Sequence, residues 1–240
     1  IKYSSAGVAL WTNRYKGPVG DLNIPSAMAL DSAGNVLVTG SSPGQFTIYD
    51  WATVKYSSAG VSLWTRRFQG PRGYSAPYAM TVDGTGNAII TGFADEFIPE
   101  LGGNVPEMVT IKYSGTGVAL WTNRYLNGAG GSCVAVGGSG DVFVSGSDEA
   151  YVHSGWTNGS EVVTIKYSSS GVPLWTNYFG GPGNGNDRPL KIVAESSGGI
   201  AVYGATQSGS NYDLWSMQYS GVGTSLSTNH SGRFVANEDG

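Results

Sequence analysis

Four acidic residues recur at near-constant spacing in this 240-residue sequence: Asp50, Glu107, Glu161 and Asp213, each five residues ahead of the Lys or Gln of a KYS-like motif. Repeated carboxylates are the raw material of a calcium site, or of an acid pair for glycosidic-bond chemistry. The segment DEAYVHSGWTNGSE, Asp148 to Glu161, carries the least repetitive chemistry of the chain. Its Asp148, Glu149, Tyr151, His153 and Trp156 combine acids with rings that could stack on a sugar and bond its hydroxyls, and these five are the candidate ligand-binding residues. No catalytic residue is assigned. His153 and His230 are the only histidines, and no HExxH, CxxC or Walker-type loop occurs. Cys133 is the sole cysteine, which excludes an internal disulfide and a cysteine-based metal site.

The elements that position these residues follow from a repeat. KYSSAG begins at Lys2 and returns in variant form at Lys55, Lys112, Lys166 and Gln218, while Trp11, Trp64, Trp121 and Trp175 follow at intervals of 53, 57 and 54 residues. A unit of that length cannot bury its own apolar face and must stack on its neighbours. Each unit holds four short β runs, A to D. Alternating apolar pairs such as Met28 and Leu30 mark strand A, and tracts such as GNVLVTG (Gly34 to Gly40) mark strand B. Strand C ends in the KYS motif, and a Gly-closed turn leads into strand D, as in VALWTNRY from Val8. Pro173 in a D run suits an outermost strand.

The expected fold is therefore all-β: a β-propeller of four-stranded antiparallel blades, with four complete blades and a partial fifth. The boundaries expected are a C–D hairpin at 1–16, full blades at 17–70, 71–126, 127–180 and 181–231, and the start of a further blade at 232–240. A ring of five blades closed by strands from both ends is one solution, and a fragment of a six- to eight-bladed ring is the alternative. The phase of the repeat at Ile1 suggests part of a longer chain.

In a meander blade the A–B and C–D turns emerge on one edge of the disc, and the B–C loops and D–A connections on the other. The first set is nearly uniform. The B–C loops, expected at 41–49, 93–106, 147–160 and 205–212, vary, and eleven of the 17 acids lie in or beside the second set. Binding is expected on that acidic edge. Strands about 4.8 Å apart carry the four recurrent acids outward from the axis, so they cannot share one ion. Each is expected to bond the backbone or pair between blades, and the repeated Lys and Trp are expected to be packing residues. No cofactor is expected; calcium, with ligands local to a loop, stays possible and a metal site unknown.

A formal net charge of −4, with 13 basic and 17 acidic residues and no basic run, argues against nucleic acid. No apolar stretch is long enough to insert in a membrane. A protein or carbohydrate ligand at the acidic face is the expected partner.

Through Asp31, Gly34, Asn35, Thr39 and Gly40, through Asp83, Gly86, Asn87, Thr91 and Gly92, and through each Lys-Tyr and Leu-Trp pair, the unit resembles the bacterial secreted β-propeller repeat known as the SBBP family. The likeness spans nearly the whole chain and weakens at Gly137, Glu195, Gln218 and Ser227. It implies an extracellular or cell-surface location and no particular reaction. The expectation is a noncatalytic binding or scaffold module; the alternatives are a hydrolytic, glycan-processing propeller using loop carboxylates, and a purely structural spacer.

Overall fold

The computed structural model describes residues 1–71, 73–98, 103–126, 129–149, 159–181, 185–208 and 211–235. These residues form strands and turns only. A hairpin, β1 (Lys2–Tyr3) and β2 (Ala9–Trp11), precedes four antiparallel four-stranded meanders. Sheet I holds β3 (Ile24–Leu30), β4 (Val36–Ser42), β5 (Asp50–Tyr56) and β6 (Ser62–Phe68). Sheet II holds β7 (Ser75–Val82), β8 (Ala88–Ile98), β9 (Gly103–Tyr113) and β10 (Ala119–Tyr125). Sheet III holds β11 (Ala129–Val136), β12 (Val142–Glu149), β13 (Ser160–Tyr167) and β14 (Pro173–Phe179). Sheet IV holds β15 (Asn186–Ala194), β16 (Ile200–Ser208), β17 (Asn211–Tyr219) and β18 (Ser225–Val235). The first strands pack in succession, β3 on β7, β7 on β11 and β11 on β15, so they lie innermost. This is a propeller-like, all-β fold.

The core lies between sheets. Leu37 of sheet I packs with Ala88, Ile90, Val109 and Ile111 of sheet II, while Phe143 of sheet III packs with Ile200 and Val202 of sheet IV. Alternation along each strand sends one set of side chains to the preceding sheet and the other to the next. Every innermost strand has a bulge at the same place, skipping Ser26, Tyr78, Ser132 and Leu190 in the pairing. The bulge presses the backbone onto the glycine that ends the strand-B motif. A Cβ on Gly92 would stand 2.1 Å from Ala76 O, and one on Gly40 would stand 2.2 Å from Ile24 O.

Three boundaries differ from the sequence expectation. β8 and β9 pair as far as Ile98 and Gly103, and β16 and β17 as far as Ser208 and Asn211, so most of 93–106 and 205–212 is hairpin rather than loop. Continued pairing satisfies backbone groups that a loop would leave to water, and this outweighs the loop-like composition of those segments. β18 runs to Val235, opposite Asn211, so Phe234 and Val235 pair within sheet IV instead of opening another blade, as expected for 232–240. Residues 236–240 lie outside the described residues.

The repeated motif is an inter-sheet latch. Lys55 Nζ and Trp64 Nε1 of sheet I both donate to Gly115 O of the next sheet's last turn, at 3.1 and 3.0 Å. Lys112 and Trp121 do the same at Ser169 O, and Lys166 and Trp175 at Gly221 O. Asn123 and Asn177 add bonds of 2.7 Å to Gly171 O and Gly223 O, and Arg66 substitutes at Gly117 O. The Trp64 indole lies over Gly117, whose φ of +83° and missing Cβ both serve the contact, since a Cβ there would meet the ring at 2.9 Å. The Tyr of the following KYS packs on the same ring, as Tyr113 does on Trp64 at 6.1 Å.

Each latch lysine is neutralised within its own sheet. Lys55 pairs with Asp31 at 2.9 Å, Lys112 with Asp83 at 3.0 Å and Lys166 with Asp141 at 2.9 Å. Burial works to raise the Asp31 carboxyl, but Lys55 and Asn35 overcome it and hold it down at about 2; Asp83 is held low in the same way by Asn87 and Lys112. A carboxylate depressed on folding contributes stability that is complete above its unfolded pKa and lost as pH falls through the folded value. The thermal midpoint is thus expected to be insensitive to these groups above about pH 5 and to fall steeply from about pH 4 toward 2. A midpoint constant down to pH 2 would contradict the paired carboxylates.

Candidate functional site

The latches consume the recurrent polar groups of the A–B and C–D turns, so the other edge of the sheets is where unassigned chemistry remains. There the four recurrent acids take different roles. Asp50 meets Arg67 at 2.9 Å and accepts from Thr47 Oγ1 at 2.6 Å. Arg67 is saturated, bonding Tyr15 OH, Ser42 Oγ, Ser42 O and Pro43 O as well. Glu107 pairs with Arg124, which stands at the position equivalent to Arg67 and also reaches Glu96 at 3.3 Å. Burial raises the Glu107 carboxyl, Arg124 opposes that and Glu96 adds to it. Position 178, equivalent to Arg124, is Tyr, so the pairing is not repeated at Glu161. Asp213 lies across from Arg233 in the strand register.

Asp187, which begins no repeat motif, is buried at the start of β15. It accepts from Gly181 N at 2.7 Å and from Thr206 Oγ1; burial raises its carboxyl, with those two bonds opposing and Glu161 reinforcing. Among the described residues no three His, Cys, Asp or Glu side chains converge closely enough to hold a metal ion. The Cys133 thiol is buried and pushed up to about 11, which leaves it inert as a nucleophile.

Of the five candidate binding residues, two are described. Asp148 and Glu149 are not loop residues: they end β12 in register with Glu161 and Ser160, and Asp148 is buried. The physical reason is again continued pairing of the hairpin. Tyr151, His153 and Trp156 lie outside the described residues.

The edge carries an aromatic group that sequence reasoning missed. Tyr49, from the turn before β5, meets Tyr74 edge-on at 6.1 Å; Tyr74 meets Phe93 at 5.4 Å; and Tyr78 stacks on Phe93 at 5.4 Å. Backbone pairing fixes the run, with Ser75 N donating to Tyr49 O and Asp95 N to Tyr74 O. Tyr78 is the skipped residue of the β7 bulge, which turns its ring out of the alternation. Gly130 of sheet III faces the ring, where a Cβ would make ordinary van der Waals contact with the Tyr78 and Phe93 side chains at 3.5 and 3.6 Å. Tyr74 and Tyr78 remain 42% and 48% exposed, and Asp95 lies two residues beyond Phe93 on β8. Burial raises the Asp95 carboxyl; it raises the Tyr78 phenol too, with Tyr74 and Asp95 adding to the shift. The signal was present in the sequence as departures from the repeat: Phe93 stands where Ser41, Ser147 and Ala205 stand, and Tyr78 where Ser26, Ser132 and Leu190 stand.

Such an arrangement can place flat apolar rings against the C–H face of a sugar while carboxylates accept from its hydroxyls. The neighbouring acids give it a negative potential, which disfavours anionic ligands.

No family model matches the chain. None of the curated proteins matches it either. Among solved structures, the chain is similar to an ulvan lyase, a polysaccharide lyase solved bound to -[GlcA(1-4)Rha3S]-, at 10% identity and a TM-score of 0.58, over 88% of this chain and 55% of that one. It is also similar to a Bacteroides caccae protein of unknown function, at 15% identity and a TM-score of 0.48, over 93% of this chain and 65% of that one. The chain thus spans roughly half to two thirds of their length, and what it shares with the lyase is a β-rich, propeller-like fold.

Proposed function

We propose that this chain is a noncatalytic, extracellular propeller module of the SBBP repeat type that binds carbohydrate on the edge opposite its latches. The observation that carries the reading is the run Tyr49–Tyr74–Phe93–Tyr78 with Asp95 beside it: two exposed rings, Tyr74 and Tyr78, and an acceptor at positions where the repeat does not require them. Its charge points to neutral or amino sugars and away from uronate or sulfated chains.

A glycan-processing reading has the fold of the lyase in its favour and little else. The raised carboxyl best placed to carry a proton, Glu107, is 1% exposed and covered by Arg124, so a substrate could not reach it without opening that pair. A glycan array probed with the purified chain is expected to show neutral or amino oligosaccharides bound, and uronic-acid and sulfated ones passed over. Retention of anionic glycans alone, or release of shortened products from any of them, would contradict the proposal.

A further inference from the structure

Three carboxylates stand on the β8–β9 pair: Asp95 opposite Pro106, Glu96 opposite Val105 and Glu107 opposite Ala94. One guanidinium serves two of them. Arg124 reaches Glu96 at 3.3 Å and pairs with Glu107. Alternation along β8 places Ala94 and Glu96 on one face and Phe93 and Asp95 on the other, so Asp95 is turned away from Arg124. Among the described residues its carboxylate meets neither a cation nor a hydrogen-bond donor, and Pro106 across the ladder has no polar side chain to offer. Rings surround it instead. Asp95 N donates to Tyr74 O, and the Asp95 charge helps to raise the Tyr78 phenol, so the residue lies beside both tyrosines. The side chain is half-buried, and burial raises the carboxyl with no partner opposing. The equivalent positions hold Pro43, Glu149 and Gln207, so the repeat does not require a carboxylate here.

We infer that Asp95 makes this site selective for a cationic sugar: the primary ammonium of an amino sugar donates to its carboxylate while the sugar ring lies on Tyr74 and Tyr78. The inference rests on the carbohydrate reading above and narrows it. A carboxylate drawn partly out of water and left without a counter-ion gains more from a cation than a fully solvated one does. An ammonium brings a full charge and three donors for a charge-assisted bond, and the faces of the neighbouring tyrosines attract the same charge. A hydroxyl or an acetamide N–H offers Asp95 only a bond from a neutral donor, without the Coulomb attraction. A uronate or a sulfate meets repulsion. Glu96 and Glu107 cannot take the role, since Arg124 already answers them on the other face of the strand.

The test titrates the 240-residue chain with two sugars of one backbone, a glucosamine tetrasaccharide and its fully N-acetylated counterpart, at about pH 6, below the ordinary range of such amines. The free amine is expected to bind at least about tenfold more tightly. Asp95→Asn keeps the shape and removes an unpaired charge, so the thermal midpoint and the affinity for the acetylated sugar should hold while the preference for the amine disappears. Asp21→Asn removes an exposed carboxylate from the connection before β3 and should leave the preference intact. The inference is overturned if the two sugars bind alike, if the preference survives Asp95→Asn, or if Asp21→Asn abolishes it as well, which would assign the choice to the field of the whole edge. In each of these cases the carbohydrate reading stands. Binding of neither tetrasaccharide also overturns the inference, and a glycan array on which no sugar is retained removes the carbohydrate reading with it.

Discussion

Replacing Lys112 with alanine is expected to destabilise the protein by about 3–5 kcal/mol, far more than the loss of a surface lysine. The Lys112 and Asp83 side chains are 5% and 7% exposed, and the ammonium bridges the Asp83 carboxylate and the carbonyl of Ser169 on the next sheet. Truncation leaves a buried carboxylate without its counter-ion and the Ser169 carbonyl without one of its two donors. Two wells of the same physics are therefore lost together. The double variant Asp83→Asn/Lys112→Met, which removes both charges and keeps volume, should recover much of the loss, since the cost lies in the orphaned charge more than in the missing pair. Chemical denaturation of the two variants would check this; equal loss in both would mean that the ion pair itself supplies the stability.

Trp64→Ala is expected to cost about 3–5 kcal/mol, because the indole is the packing element of the same latch. Trp64 is 8% exposed, covers Gly117, touches Tyr113 and donates to Gly115 O. Trp64→Phe separates these contributions. It keeps a ring over the glycine and loses the N–H, so its cost should be nearer about 1–2 kcal/mol. The equivalent change at Ser227 runs the other way: no sheet follows sheet IV among the described residues, and Ser227 bonds Gln218 instead. Ser227→Trp should therefore add no stability. A gain there would mean that a further turn packs against sheet IV.

These latches explain why so much of the fold was legible. Lys, Trp, the turn Gly and the following Tyr recur because each sheet uses them to hold the next, so their spacing is the spacing of the sheets. The glycine that closes GNVLVTG was legible only as punctuation. Its cause, a bulge in the neighbouring innermost strand that brings Ile24 O onto Gly40, is a contact across the sheet with no local signature. The extended β8–β9 hairpin was hidden by its acids and glycines, which suit a loop when read alone and suit strand ends when each is paired with a partner. The aromatic run was hidden differently. Tyr49, Tyr74, Tyr78 and Phe93 come from two sheets and three separate segments, and it takes the β7–β8 pairing and the backbone bridge from Tyr49 to Tyr74 to bring them together.

We propose a division of labour: residues that repeat hold the sheets together, and residues that break the repeat on the opposite edge meet a ligand. It is tested most directly by titrating a neutral or amino oligosaccharide into two double variants of equal stability. Tyr74→Ala/Tyr78→Ala alters two exposed rings of the aromatic run, and Ala59→Arg/Thr116→Arg alters two exposed residues of the uniform turns. Affinity should fall about tenfold or more in the first, the loss of roughly 1.4 kcal/mol or more of ring contact, and stay at the wild-type value in the second. Unchanged affinity in the tyrosine variant, or loss in the turn variant, would contradict the account.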